Sequence, residues 1–406
     1  MGLPPQPKIT VPRSLRRPFR PGLVWSLATV GLIVLCLRPP TLPKFFSAFT
    51  SPSPTATKLS QFQLESFQVA LQKCRDFESL PLHYPFPVPE ARSNPRWNPS
   101  NGQNETILLR NATLFDGESI LDEPVDIVFS NGIIKSAFST SELIPELPGV
   151  KILQLNRRFV TPGLIDMHSH HMAMTWPNLP STDDVNEMSG STGPLTPMMR
   201  ILDSLKAYDQ ATAIIASGGV TSSLILPGSA NIMAGEGVVV KNAMRSGNNR
   251  EYVVEELLLE YGVPEAKRRR YMKMAWGENP RGIYDHVRMA NSWILRKHLT
   301  RAEELRQKQD AWCLSAASAQ ETGDLDAMRV LMSPTFIETG GLPESLELES
   351  TVALLRGKVG VNIHCYESED FESMLRISKE FGFRIRALHH ALEAWKVPEM
   401  IKESGE

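Results

Sequence analysis

Several things are scarce in this sequence, and each scarcity closes off a class of function. Charge of one sign is the first: 43 basic and 45 acidic residues leave a formal net charge of -2, so nothing electrostatic argues for a nucleic-acid partner. Cysteine is the second. The four cysteines, Cys36, Cys74, Cys313 and Cys365, include no C-x-x-C pair and predict neither a disulfide framework nor a zinc knuckle. Internal repeats are missing, which sets aside solenoids and propellers. Long apolar runs are reduced to one, and no basic amphipathic helix follows it.

What is present is enough for a buried core, with 42% hydrophobic and 22% charged residues over 406 positions. The single apolar run is Leu23–Leu37, LVWSLATVGLIVLCL. As a helix it would rise about 22 Å against a bilayer core of about 30 Å. Residues 1–22 before it are basic and lack acids. Residues 23–38 therefore read as a signal anchor in preference to a cleaved signal peptide. The basic tail should stay cytoplasmic, which predicts a single-pass type II membrane protein whose main part is lumenal or extracellular. Sequons at Asn104-Glu-Thr106 and Asn111-Ala-Thr113 agree with a glycoprotein. Residues 39–103 read as stalk and linker, rich in Pro, Ser and Asn, with a short helix over Lys58–Phe77.

Residues 104–160 change character. ILLRNATLF, VDIVFSNGIIKSAF and VKILQL are short β-rich runs, and Asn131-Gly132 is a hairpin signal between two of them. A small antiparallel β unit is expected. From residue 161 to 406 strands and helices alternate, which argues for a parallel sheet. Strands are expected at Leu164–His170, Val220–Leu226, Tyr271–Trp276, Gly360–Tyr366 and Arg384–His390. Helices are expected at Pro197–Ser217, Tyr284–Ser318, Leu346–Leu355, Ser368–Phe381 and Glu393–Lys402.

Six of the nine histidines fall at the ends of three of these strands: 168, 170 and 171; 364; and 389 and 390. In FVTPGLIDMHSHH (159–171), strand alternation puts Asp166, His168 and His170 on one face. Two imidazoles two residues apart on one face are well placed to share a metal ion. The C-terminal strand ends are also where a (β/α)8 barrel carries its active site. Converging imidazoles suit Zn²⁺ or another first-row divalent ion.

A β unit followed by VTPGLIDMHSHH resembles the amidohydrolase superfamily of metal-dependent hydrolases, its imidazolonepropionase-like branch and fungal membrane-anchored members above all. The resemblance continues through GGVTSSLILPGSANIMAGEGVVVK (218–241), YMKMAWGENPRGIY (271–284) and VNIHCYESEDFESMLRISKEFGFRIRALHHALEAWKVPEM (361–400). It implies a TIM barrel of which about six strands are present, with a small N-terminal β domain and the membrane helix in front. It implies one or two divalent ions, zinc foremost, with His168, His170, His364 and His390 as ligands. His389 falls on the opposite face, and His171 is supporting or structural. Glu278, or Lys273 as a carbamate, is the candidate for a second metal. Asp166 is expected to hydrogen-bond beside the metal pair rather than to ligate.

The implied reaction is hydrolysis of a carbon–nitrogen bond other than a peptide bond, in a small amide or cyclic amide. A carboxylate passes the proton to the leaving nitrogen. In the family that carboxylate is an Asp at the end of strand eight. No such strand is found here, and the sequence closes on Ser404-Gly405-Glu406. No catalytic residue is therefore assigned, and little or no catalysis is expected of this chain by itself. The rival reading is an inactive remnant or anchored binding module of the same family. Whether the chain forms an oligomer is left open.

Overall fold

The computed structural model describes residues 59–77, 106–130, 133–140, 149–244, 250–333 and 340–404. The basic tail, the apolar run 23–37, the stalk, the linker, Asn104 and the Asn131-Gly132 turn lie outside these residues. Among the described residues no helix is long and apolar enough to cross a membrane. The longest, Arg288–Thr322, is studded with Arg, Lys, Glu and Gln and could not shed its hydration in hydrocarbon. The membrane helix, the membrane contact and the type II topology expected from the sequence rest on residues 23–38, outside the described residues, and no described helix supports them.

Helix α1 (Gln61–Asp76) starts at a capping box, in which Ser60 and Gln63 satisfy each other's backbone donors. It buries Phe67, Ala70 and Leu71. Strands β1 (Thr106–Leu114), β2 (Val125–Ser130), β3 (Ile133–Ser139), β4 (Lys151–Gln154) and β5 (Phe159–Val160) form the small sheet, ordered β3-β2-β1-β4 with β5 also on β1. The unit is mixed rather than wholly antiparallel, because β4 and β5 run parallel to β1. A bulge at Asn111, which takes φ 57°, interrupts the β1–β2 register. The buried Asp126 carboxylate holds it by accepting from the Asn111 backbone N–H at 2.8 Å, Thr140 Oγ1 at 2.8 Å and Arg110 Nε at 3.0 Å.

The second sheet has six strands: β6 (Leu164–Ser169), β7 (Val220–Ile225), β8 (Met233–Lys241), β9 (Arg270–Ala275), β10 (Val359–Cys365) and β11 (Ile385–His390). Their spatial order is the chain order, β6 to β11. The arrangement matches part of a TIM barrel, with one departure. Strand β8 is antiparallel to both β7 and β9. The link from Ile225 to Met233 is too short for a parallel crossover, which takes a dozen or more residues, so the chain turns back as a hairpin. The other five strands run parallel and bring their C-terminal ends to one edge.

Helices fill the connections: α2 (Ala211–Ser217), the single turn α3 (Val254–Leu257), α4 (Glu278–Tyr284), α5 (Arg288–Thr322), α6 (Leu325–Leu331), α7 (Glu349–Leu355), α8 (Ser368–Phe381) and α9 (Pro398–Glu403). The helix expected over Pro197–Ser217 is confined to its last two turns. Asp209 fixes the start, since its carboxylate accepts from the backbone N–H of Ala211, Met172 and Trp176. The helix expected from Tyr284 is split, because Asp285 adopts a left-handed conformation between α4 and α5.

One core lies between the sheet and helices α5, α7 and α8, where Leu295, Leu299, Val352, Phe371 and Met374 meet Met272, Met274, Val361 and Ile363. Each such side chain contributes about 1.5–3 kcal/mol on burial. The far half of α5 leaves that core and packs Trp312, Ala316 and Ala319 on α1 and α6. A disulfide between Cys74 and Cys313 ties α1 to α5. This corrects the reading of the cysteines, whose 239-residue separation gives no local signal.

Candidate metal centre

Three strand ends and one strand interior meet at the C-terminal edge. β6 delivers His168 and, just past its end, His170; β9 delivers Lys273; β10 delivers His364; β11 delivers His389 and His390. Register places His364 beside Ala275 on one side and His389 on the other. The His168 ring packs within 5.0 Å (centroid to centroid) of His170, and within 4.7 Å of both His389 and His390. His364 lies 4.7 Å from His390. Both β11 histidines join the cluster, contrary to simple alternation, because φ of 63° at His390 and 45° at Ala391 twists the strand end.

The hydrogen bonds fix which ring nitrogens carry protons. His170 Nδ1 stands 2.8 Å from the Leu226 carbonyl oxygen, which can only accept, so Nδ1 donates and Nε2 is a lone pair. His389 Nε2 is 3.0 Å from Asn362 Oδ1, and the Asn362 amide nitrogen donates to the Gly360 carbonyl. His389 therefore donates from Nε2 and presents a lone pair at Nδ1. Both lone pairs face His168: His389 Nδ1 at 2.9 Å from His168 Nδ1, and His170 Nε2 at 3.2 Å from His168 Nε2. A neutral imidazole has one N–H and can satisfy only one of them. The other contact sets lone pair against lone pair, which calls for a cation.

A proton is a poor candidate for that cation. Burial first, then the charges of Lys273 and the neighbouring histidines, depresses His168 to about 2. Burial likewise lowers His170 and His390, His364 to about 3 and His389 to about 4. A divalent ion meets the requirement, since neutral imidazole is the form that ligates. The 3.2 Å between His168 Nε2 and His170 Nε2 is close to the roughly 3.3 Å expected of two nitrogens bound at about 2.0–2.1 Å to one tetrahedral ion.

Other polar atoms here are also without partners. Lys273 is fully buried, its Nζ has no hydrogen bond, and burial pulls it down to about 7. Glu278 opens α4 and brings Oε1 to 3.4 Å from His364 Nε2, while its Oε2 and His364 Nδ1 are buried and unpaired. Burial, with the charges of Asp370 and Glu367, raises the Glu278 pKa. Gly277 sets this carboxylate's direction: its φ is 89°, and a Cβ there would sit 2.2 Å from Asp370 Oδ2. Asp166 turns to its own strand, its Oδ1 accepting from the His168 backbone N–H at 2.9 Å. Among the described residues no three His, Cys, Asp or Glu side chains already converge as a formed metal site. The fit rests on the His168–His170 pair and the unpaired atoms around it.

Two participants escape a reading of the sequence. Asn362 orients His389, and the Tyr366 ring packs 4.5 Å from His364 and 5.4 Å from His390. Both lie two residues from His364, and strand period alone would have put them on its face.

No family model matches the chain. An amidohydrolase of Hapsidospora irregularis, tasK, is 34% identical over 355 residues, covering 82% of this chain. The chain spans about a third of that relative's length, 34%. A crystal structure of an amidohydrolase from Thermotoga maritima MSB8 superposes with a TM-score of 0.57 at 28% identity, over 73% of this chain and 67% of the other. The likeness is to amidohydrolases in general, and the finer placement in a membrane-anchored, imidazolonepropionase-like branch is not sustained. In sequence and in fold, the chain is similar to the amidohydrolases and carries part of their TIM barrel.

Proposed function

We propose that this chain forms the metal-binding part of a hydrolase that cleaves carbon–nitrogen bonds, other than peptide bonds, in small amides or cyclic amides. The observation that carries the reading is the pair of lone-pair nitrogens, on His170 and His389, aimed at His168 on a barrel's C-terminal edge. His168 and His170 would hold a divalent ion, zinc foremost, with His364 and His390 completing the set. Lys273, as a carbamate, is the group for a second ion, which leaves Glu278 to move a proton. Bound there, the ion would supply Lewis acidity that polarises a scissile carbonyl and acidifies water.

The chain's own groups do the rest. The Leu226 carbonyl keeps the proton of His170 on Nδ1, so that Nε2 stays available. Asn362 does the same for His389 by holding the proton on Nε2. In place of the family's strand-eight Asp, Glu278 Oε2, a buried, unpaired carboxylate oxygen beside this cluster, would take a proton from the attacking water and return it to the leaving nitrogen, so that turnover is expected of this chain after all.

The test is turnover of a panel of small amides and lactams by the purified chain, read as amine or ammonia release. Chelation should abolish turnover and Zn²⁺ or Co²⁺ should restore it. Glu278→Gln should lower kcat by about 10²–10⁴ with metal content retained. A metal-loaded chain that hydrolyses nothing in the panel would overturn the reading in favour of a binding module.

A further inference from the structure

The face of β6 opposite the metal pair carries its own chain of hydrogen bonds. Ser169 Oγ lies 2.7 Å from His171 Nδ1, and His171 Nε2 lies 3.2 Å from Asn242 Oδ1. The Asn242 amide nitrogen is 2.8 Å from the Val220 carbonyl and 3.0 Å from Ser223 Oγ. Asn242 also donates its backbone N–H to the Thr221 carbonyl. Ser169, His171 and Ser223 are buried.

The direction of every bond follows from one fixed point. The Val220 carbonyl only accepts, so the Asn242 nitrogen faces it and Oδ1 faces His171. Oδ1 only accepts, so His171 donates from Nε2. Its Nδ1 is then a lone pair and takes the proton of the Ser169 hydroxyl. The chain of bonds runs Ser169 to His171 to Asn242 to Val220, with no donor left over. It spans β6, β7 and the end of β8.

Ser169 and His171 alternate with His168 and His170, so pinning the first pair on one face sets the direction of the second pair on the other. The β6–β7 register slips between Asp166 and Ser169, in the stretch that carries His168. The Leu226 N–H donates to the Ser169 carbonyl at 3.0 Å, and the Leu226 carbonyl accepts from His170. A displacement of Ser169 would therefore be felt at His170.

We infer that Ser169, His171 and Asn242 are positioning residues, a strut that holds the end of β6 so that His168 and His170 point together into the metal centre. The inference rests on the proposed metal function, but its first test does not need metal. Histidine-selective ¹⁵N labelling of the metal-free protein should show His171 as the Nε2–H tautomer and His170 as the Nδ1–H tautomer. In Ser169→Ala and Asn242→Leu, the His170 Nδ1–H population should fall and its ring signals shift, while far-UV circular dichroism stays unchanged. Ser169→Thr, which keeps the hydroxyl, should restore the wild-type spectrum. Co²⁺ titration should then give a dissociation constant about 10–100-fold weaker in the two disrupting variants.

A His171 found as Nδ1–H, or a His170 signal indifferent to both substitutions, would overturn the strut. Equal Co²⁺ affinity in wild type and both variants would do so as well. A wild-type protein with the expected tautomers that binds no Co²⁺ would refute the metal function instead, while the NMR comparison still decides the strut.

Discussion

Lys273→Met replaces a buried amine with an apolar chain of similar volume, and the structure sets what this should do. Lys273 Nζ has no hydrogen-bond partner, and burial lowers its pKa from 10.5 to about 7. In the unfolded chain the amine keeps its ordinary value. Above pH 10.5 it is neutral in both states and the pH-dependent penalty vanishes. As pH falls from 10.5 toward 7 the unfolded chain binds a proton that the folded chain refuses, and the fold loses about 1.4 kcal/mol per pH unit. The loss reaches roughly 4 kcal/mol near pH 7 and levels off below it. Lys273→Met should therefore be more stable than wild type, with an advantage that grows by that amount between pH 10.5 and 7. Urea unfolding at pH 7, 8, 9 and 10, in chelator and carbon-dioxide-depleted buffer, measures it. A difference that is constant with pH, or a variant less stable at every pH, would refute the reasoning. The same substitution should abolish turnover if Lys273 serves the metal centre, since a residue this costly to the fold is explained by its use.

Other consequences can be measured alongside. Asp126→Asn sets an amide N–H against Arg110 Nε–H and should cost about 2–3 kcal/mol at neutral pH. Although burial opposes it, hydrogen bonds from Asn111, Thr140 and Arg110 hold the Asp126 pKa below its ordinary 3.8. That contribution is complete above pH 4 and fades as pH falls through the depressed value, so wild type and variant should converge in acid denaturation. Convergence already at pH 6 would contradict it. Cys74→Ser opens the crosslink across 239 residues and should lower chemical-denaturation stability by about 2–5 kcal/mol. A midpoint indifferent to reductant would show that the bond does not form. Phe371→Ala, at 0% exposure in the main core, should cost about 3–5 kcal/mol by cavity formation, and a loss below 1 kcal/mol would mean α8 is packed otherwise.

The parallel strands were legible because each is an apolar run closed by a turn or by histidine. LILPG, VNIH and RALHH announce both the strand and the edge, and the last two the histidines that gather there. Strand β8 was not legible, because MAGEGVVVK mixes glycine, acid and valine. Its antiparallel direction follows from a short link, not from composition. The helix expected over Pro197–Ser217 matched a periodic pattern, but Asp209 turned three backbone donors toward itself and delayed the start to Ala211. The Cys74–Cys313 bond and the docking of α1 depend on contacts between distant segments, which no local window contains. At the centre, residue types were readable and proton positions were not: the lone pairs at His170 and His389 are set by the Leu226 carbonyl and Asn362. The apolar run 23–37 was readable as a pattern and lies outside the described residues, among which no helix has the length and apolarity to cross a membrane.

The metal content of the purified chain, set beside that of His168→Ala/His170→Ala, tests the central claim most directly. After loading with Zn²⁺ and gel filtration, elemental analysis should find at least one zinc per wild-type chain and well under half of that in the double variant. Equal metal in the two proteins, or none in either, would contradict it.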